Sequence, residues 1–456
     1  MSSELRRNWR FQLMWAGAGL SYLGSSTIGL ALPLLVLAAT GSPALAGIAT
    51  TISMVSALVV SAPAGVWVDR MDRRRILIGA ELALAAAWGS FALLVWSDAV
   101  SAWNVVLVSV VSGGAGAFKG PAHAAALQSL VPKSQLSAAY AQNQARSYAT
   151  QLAGPPLGGL LYAVGRAVPF AFQALALVLS TACYLAARVP RRPAGAARKP
   201  QAANMRSAFA EAFRWLVGQR GLRAAIVVAL FMNPLVNAIW IPVIVLVGER
   251  GGASLHTGVV MAGAGIGGLA GSLLATRLSG LLPPGKLLLL VCVLMGGSYC
   301  LIPLPLPMPW PMVPIVVSCL ASPALNVALM ALIGHLVPSD MMGRMMSVVT
   351  VTFQGLSPLG PVIGGALAGA LGGGPALVVI GGALLVITAL ASTSTALRAL
   401  RGPEEEPDPF ESIRRLCELG VFSGDPDPEK LARLGPLREE EIRFLDSLNS
   451  RIRAAK

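Results

Sequence analysis

Long apolar stretches dominate this chain and limit what it can fold into. A helix of about 20 residues crosses the hydrocarbon core of a bilayer. Lipid also requires every backbone amide to be paired within its own segment, so each stretch predicts a transmembrane helix. The twelve stretches lie near residues 12–38, 44–68, 76–97, 103–126, 138–164, 168–187, 224–248, 257–280, 286–304, 311–334, 344–370 and 374–397.

Composition excludes a soluble protein. Of the 456 residues, 55% are hydrophobic and only 12% are charged, whereas a soluble domain averages roughly 25% charged residues. No soluble core could bury so much apolar sequence. We therefore predict an all-α integral membrane protein with twelve transmembrane helices.

The distribution of positive charge predicts the orientation in the membrane. Arginines precede the first stretch, follow the second and fill the break at 188–223, while the alternate loops are nearly free of them. Lys and Arg accumulate in cytoplasmic loops. We expect a multi-pass protein of the inner or plasma membrane with both termini cytoplasmic. The net charge of +14 follows from this asymmetry, so no nucleic acid is predicted as a partner; the partners are the lipid bilayer and a small molecule.

Short motifs recur at a constant offset, which indicates an internal repeat. Leu130-Val131-Pro132 returns 206 residues later as Leu336-Val337-Pro338, and Gly154–Gly159 returns at the same offset as Gly360–Gly365. Parallel repeats of this kind place a binding site at their interface near the bilayer midplane. The predicted domains are an N-terminal six-helix half at 1–187, a linker with an amphipathic helix at 188–223, and a pseudo-symmetric second half at 224–398.

Beyond the second half the composition reverses. The tail at 399–456 carries 13 of the 21 acidic residues and two short helical patterns. We predict a short helical cytoplasmic module. Its acidic charge leads to the hypothesis that it docks on the basic linker within the same chain, which we expect to be a monomer.

A basic loop joins the second and third predicted spans. It reads Gly65-Val66-Trp67-Val68-Asp69-Arg70-Met71-Asp72-Arg73-Arg74-Arg75 and resembles motif A of the major facilitator superfamily, a Gly-x-x-x-Asp-Arg-x-x-Arg-Arg pattern at the same topological position. The resemblance implies the major facilitator fold. It also implies that the motif closes the cytoplasmic side as a gate, through Gly65, Asp69, Arg70, Arg73 and Arg74.

A second motif lies on the fifth predicted span. Gly154-Pro155-Pro156-Leu157-Gly158-Gly159 resembles motif C, which the superfamily associates with exporters that work as antiporters. Small residues also permit close helix packing without any transport direction, and both interpretations stay open. The residues assigned to this packing, with those of the repeat, are Gly154, Pro155, Gly158, Gly159, Gly360, Pro361, Gly364 and Gly365.

Residues of the first span resemble one branch of the superfamily in particular. Phe11–Gly17 and Leu32–Leu37 are similar to the drug:proton antiporter-3 branch, which includes macrolide and enterobactin exporters. Members of that branch often carry an aspartate after Leu-Gly in the first span, whereas here Leu23-Gly24 is followed by Ser25.

Among the ionisable residues inside apolar stretches, Glu81 and Arg146 are the candidates for proton coupling. Glu81 is about 10 Å into the third span and Arg146 about 15 Å into the fifth, at 1.5 Å per residue. An ionisable group within the membrane is costly and indicates function. Glu81 either carries protons or neutralises the motif A arginines, and Arg146 either contacts an anionic substrate group or pairs with Glu81. Lys119 and His123 are expected to snorkel towards the cytoplasm.

Polar residues on the first, seventh and tenth spans are the candidates for the substrate cavity, because these spans line the pathway in the superfamily that the chain resembles. Each of them could equally form a hydrogen bond between helices. They are Ser21, Ser25, Asn233, Asn237 and Asn326, and Trp240 is a further candidate because its ring could stack on a flat or apolar ligand.

These features predict a secondary active transporter that exports a small amphipathic molecule, such as a drug, natural product or siderophore-like compound. Alternating access by proton antiport is expected, with the proton gradient as the energy source and no cofactor or metal. No phosphate-binding loop or catalytic motif indicates an enzyme. The alternatives are an uncoupled or lipid-handling carrier, and a non-transporting receptor or scaffold that acts through its tail.

Overall fold

The computed structural model describes residues 7–70, 72–188, 214, 216, 218–336, 349 and 352–398. All regular structure in these residues is helical, as predicted. The tail at 399–456, most of the linker and the predicted docking between them lie outside the described residues.

Six long helices come from the first part of the chain, and a 3₁₀ turn at Lys133–Gln135 separates the fourth from the fifth. We call them the first group. They are α1 (Trp9–Thr40), α2 (Pro43–Arg70), α3 (Arg73–Trp96), α4 (Ala102–Leu130), α5 (Leu136–Val164) and α6 (Val168–Ala186).

The later helices form the second group, which includes several shorter segments. They are α7 (Arg220–Ala238), α8 (Trp240–Glu249), α9 (Ser254–Leu281), α10 (Pro284–Leu301), α11 (Met312–Leu320), α12 (Ser322–Leu336), α13 (Leu359–Leu371), α14 (Gly373–Ser392) and α15 (Thr395–Arg398).

Ten of the described segments are long and apolar enough to cross a membrane. Two of the twelve predicted stretches are not among them. The stretch at 138–164 is helical as α5, but Gln142, Asn143, Gln144 and Arg146 lower its hydropathy. The stretch at 344–370 is described only in part, with α13 beginning at residue 359.

Proline interrupts two predicted spans of the second group. The stretch at 224–248 divides between Ala238 and Trp240, because Pro242 has no N–H to donate to the carbonyl four residues earlier. The stretch at 311–334 divides at Ala321, two residues before Pro323, for the same reason.

Packing within and between the groups follows a regular scheme. In the first group α1 packs on α5 and α6, while α3 packs on α4 and α6. In the second group α9 packs on α11 and α12, and α13 packs on α7. Most of the contact between the groups is made by two helix pairs, α5 with α9 and α2 with α13. We call the end of the bundle where Trp9 lies the near end, and the opposite end, with the α1–α2 turn at Gly41, the far end.

Glycine brings backbones together where the groups meet, a contact we call the seam. On α5, a Cβ at Gly159 would overlap the carbonyl oxygen of Ser254 on α9, and Ser254 Oγ donates to the Gly159 carbonyl at 2.9 Å. On α13, a Cβ at Gly365 would overlap the carbonyl oxygen of Pro43 on α2. These backbone approaches leave no room for a larger side chain.

The neighbouring motif residues extend the same pattern. The carbonyl of Pro155 faces Gly258 on α9, and the carbonyl of Pro361 faces Gly47 on α2. The other glycines of the two motifs pack inside their own groups, where Gly154 and Gly158 contact α1, and Gly360 and Gly364 contact α7. Residues 206 positions apart therefore make equivalent contacts.

At the far end, Glu249 caps α14. Its Oε1 accepts the Gly373 N–H at 3.0 Å, which satisfies an unpaired donor and places a negative charge at a helix N-terminus. We expect Glu249→Ala to lower the free energy of unfolding by about 1 kcal/mol. The melting temperature in detergent would show this as a decrease of a few degrees. Glu249→Gln keeps an acceptor oxygen, so its melting temperature should fall by less than that of Glu249→Ala. Equal melting temperatures for Glu249→Ala and the parent protein would contradict the cap.

Candidate functional site

Four helices of the first group bring ionisable and polar side chains together in the interior, about 10 to 20 Å from the near-end helix termini at 1.5 Å per residue. Five of these side chains are buried, and the sixth, that of Tyr22, is partly buried. An aromatic layer of Trp88, Phe91 and Phe170, with ring centroids 5.1 to 5.9 Å apart, lies on the far-end side, since Trp88 is two turns beyond Glu81 on α3. We call the following six residues the charged cluster: Ser21, Tyr22, Glu81, Lys119, His123 and Arg146.

Glu81 and Lys119 form a buried ion pair. Lys119 Nζ lies 3.2 Å from Glu81 Oε1. Lys119 is 7% exposed and Glu81 is 0% exposed. Ser21 links them, because its hydroxyl donates to Glu81 Oε1 at 3.0 Å and accepts from Lys119 Nζ. Removing one partner of such a pair leaves an uncompensated buried charge, which typically costs about 3–5 kcal/mol.

Arg146 lies beside this pair but does not join it. Its guanidinium carbon is 5.0 Å from the centroid of the Tyr22 ring, and Lys119 Nζ is 5.5 Å from the same centroid. Arg146 is 6% exposed. Within the described part of the chain, its Nε and Nη1 find no acceptor, and neither Glu81 Oε2 nor His123 Nε2 has a hydrogen-bond partner.

The structure corrects one expectation and resolves another. Lys119 and His123 do not snorkel, because both are buried at 7% exposure. From the sequence, Arg146 and the motif A arginines are the candidate partners of Glu81. In the structure Glu81 instead forms its ion pair with Lys119, and with neither Arg146 nor a described motif A arginine. The sequence carried one signal for this arrangement: Lys119 and His123 are four residues apart, hence on one face of α4.

The cavity candidates on α1 differ from one another. Ser21 belongs to the charged cluster, whereas Ser25 donates to the Ser21 carbonyl at 2.9 Å and accepts from Gln173 Nε2 at 3.3 Å. Both hydroxyls are thus engaged within the first group.

The candidates of the second group lie apart from the charged cluster. Asn233 Nδ2 donates to the Phe353 carbonyl at 2.7 Å, and Asn237 Nδ2 donates to the Asn233 carbonyl at 2.9 Å. Trp240 is half-buried and Asn326 is exposed. The structure therefore unites Ser21, Glu81 and Arg146 of the predicted residues.

The motif A loop is described in part. Helix α2 ends at Arg70 and α3 begins at Arg73, with Asp72 Oδ1 accepting the Arg74 N–H at 3.0 Å as a helix cap. Arg74 Nη2 donates to the Leu185 carbonyl at 3.4 Å. The side chains of Asp69, Arg70 and Arg73, and the surroundings of Gly65, lie outside the described residues.

The sequence matches the Major Facilitator Superfamily over residues 14–358. The chain belongs to this superfamily. The resemblance seen in the motif A loop is therefore confirmed at that level, and the chain is a multi-pass membrane protein.

Several curated proteins resemble this superfamily member over part of their length. It is 28% identical to macrolide efflux protein A of Streptococcus pyogenes over 191 residues, which are 41% of this chain and 47% of that protein. It is 34% identical to the multidrug efflux pump Tap of Mycobacterium tuberculosis over 139 residues, 29% of this chain and 33% of that protein. The chain thus spans less than half the length of these relatives.

Solved structures share the fold over most of both chains. The nucleoside transporter NupG aligns with a TM-score of 0.68 at 12% identity, covering 84% of this chain and 99% of that one. A bacterial homologue of the lysosomal transporter Spinster, in an inward-facing and unoccupied conformation, aligns with a TM-score of 0.64 at 15% identity and covers 88% of this chain and 98% of that one. At these identities the likeness establishes the fold alone.

Proposed function

We propose that this protein is a secondary active transporter that exports a small amphipathic molecule from the cell by alternating access. The observation that carries the proposal is superfamily membership together with relatives named as macrolide and multidrug efflux proteins. The cargo classes proposed are drugs, natural products and siderophore-like compounds.

The proposed architecture is twelve transmembrane helices in two pseudo-symmetric six-helix halves, at 1–187 and 224–398, joined by the linker at 188–223. Its support is the equivalence of contacts 206 residues apart, in which Gly159 and Gly365 each approach a helix of the other group. Rocking of two such halves is the basis of alternating access. The arginine distribution supports both termini in the cytoplasm, with the protein in the inner or plasma membrane.

Proton antiport is proposed to depend on Glu81. Ionisable groups are retained within a membrane where function uses them, and Glu81 is a carboxylate 0% exposed on a helix long and apolar enough to cross the bilayer. Protonating it would release Lys119 from the 3.2 Å ion pair. Proton binding would thereby change the packing of α3 against α4, the two helices that carry the pair.

Everted membrane vesicles containing the protein test transport and coupling together. With an acidic interior imposed, radiolabelled erythromycin or fluorescent dansylglycine, one cationic and one anionic amphiphile, should accumulate several-fold above vesicles without the protein. Collapsing the gradient with nigericin should abolish the accumulation, since an antiporter requires protons to leave as cargo enters the lumen.

Two outcomes favour the alternatives. Accumulation that survives nigericin would reject proton coupling and favour an uncoupled or lipid-handling carrier. If no amphiphile in a wider panel accumulates, the receptor or scaffold alternative is favoured. That alternative predicts that truncation at residue 400 removes the receptor or scaffold activity, because this activity would reside in the tail.

A further inference from the structure

The charged cluster has an excess positive charge among the described residues. Glu81 is its one carboxylate, and it is paired with Lys119 at 3.2 Å. The other carboxylates that the structure describes belong to Asp72, Asp98 and Glu249, all at helix ends. Arg146 is therefore left without a carboxylate partner in the described part of the chain.

An unpaired arginine in this position requires a counter-charge. Its guanidinium does not lose its proton at accessible pH, and a buried charge without a partner is strongly unfavourable. Arg146 is 6% exposed, and its Nε and Nη1 have no acceptor among the described residues. A guanidinium presents its donors as a planar fork that matches the oxygens of a carboxylate or phosphate.

The surroundings of Arg146 also favour a bound anion. The Tyr22 ring lies 5.0 Å from the guanidinium carbon and holds the group by a cation–π contact. The carboxylate of Glu81 is already paired with Lys119, so the net charge of the charged cluster favours binding of a further negative group. The repeat does not duplicate these two cations, because the positions 206 residues after Lys119 and Arg146 are Leu325 and Thr352.

We propose that Arg146 binds an oxyanion group, carboxylate or phosphate, of the transported molecule, so the cargo is an anionic or zwitterionic amphiphile. This inference rests on the proposed transport function and specifies the chemical class of its cargo. Because binding is measured at equilibrium, it can be tested whether or not flux is detected.

The test compares dansylglycine with dansylglycine amide, which differ in the negative charge, by fluorescence titration of the purified full chain in a neutral detergent. A hydrogen bond to a charged group predicts that the acid binds about ten-fold more tightly than the amide. In Arg146→Gln the ratio should fall to about 1. In Arg146→Lys an intermediate ratio is expected, because the charge remains but the planar fork is lost.

Arg166→Gln is the matched control, since Arg166 is an exposed arginine in the α5–α6 turn at the far end, and it should keep the parent ratio. Equal or undetectable binding of acid and amide by the parent protein would overturn the proposal, and so would a preference that survives in Arg146→Gln. Repeating the titration in phosphatidylcholine nanodiscs with and without phosphatidylglycerol distinguishes the oxyanion source. If phosphatidylglycerol competes with dansylglycine, a lipid phosphate is identified as the cargo group. If phosphatidylglycerol does not compete, the cargo is identified as a soluble molecule.

Discussion

Glu81→Gln is expected to abolish the response of transport to a pH gradient and to lower the free energy of unfolding by about 3 kcal/mol or more. The amide cannot exchange a proton, which removes coupling. It also leaves the Lys119 ammonium, 7% exposed, without its carboxylate. Gradient-driven uptake in everted vesicles measures the first effect, and thermal unfolding in detergent measures the second.

The double variant Glu81→Gln/Lys119→Met separates these two effects. Removing both charges eliminates the uncompensated ammonium, and replacing both members of a buried pair is often neutral for stability. We therefore expect near-parental melting with coupling still absent. Gradient-dependent uptake by this folded double variant would show that Glu81 does not carry the proton.

Gly159→Val is expected to abolish transport by forcing the seam apart at the far end. A Cβ at Gly159 would overlap the Ser254 carbonyl oxygen and lie 2.9 Å from the Ser254 carbonyl carbon and 3.0 Å from Leu255 Cα. All three atoms are backbone, so α9 itself must move. Overpacking of a close-packed interior costs about 1–3 kcal/mol where side chains can adjust, and more is expected here.

Gly29→Val is the matched control for this substitution. Gly29 is also a helical glycine, on α1, but a Cβ there would have no atom within 4 Å, so the variant should keep normal uptake. Gly365→Val should repeat the loss on the α2–α13 side, where Pro43 supplies the opposing carbonyl. Transport by Gly159→Val at the rate of the Gly29→Val control would be inconsistent with a tight seam.

The helical class and the superfamily were predictable because they depend on local features. Apolar length alone indicates a membrane helix, and the motif around Asp69 is contiguous in the chain. The divisions at Ala238 and Ala321 were harder to predict. Pro33 and Pro121 lie inside continuous helices, so a proline does not by itself show whether a helix continues or divides; that depends on the neighbouring helices.

The charged cluster was only half predictable. Burial within an apolar stretch identified Glu81 and Arg146, each from its own segment. Lys119 was assigned to the membrane boundary because the predicted stretch ended at residue 126, whereas α4 continues to Leu130. Rotation of a helix about its axis relative to the other helices is also not readable from sequence. The partner of Lys119, Glu81, is 38 residues away on α3, and only tertiary packing brings the two together.

The seam also limits how this protein can vary. Side-chain interfaces usually tolerate exchanges among residues of similar volume, but at Gly159 and Gly365 the opposing atoms are backbone and no smaller residue exists. A saturation library selected for transport should therefore retain glycine at these two positions while accepting many residues at Gly29. New cargo preferences should arise by substitution within the helix groups, around Arg146 and Tyr22, rather than along the contact between them.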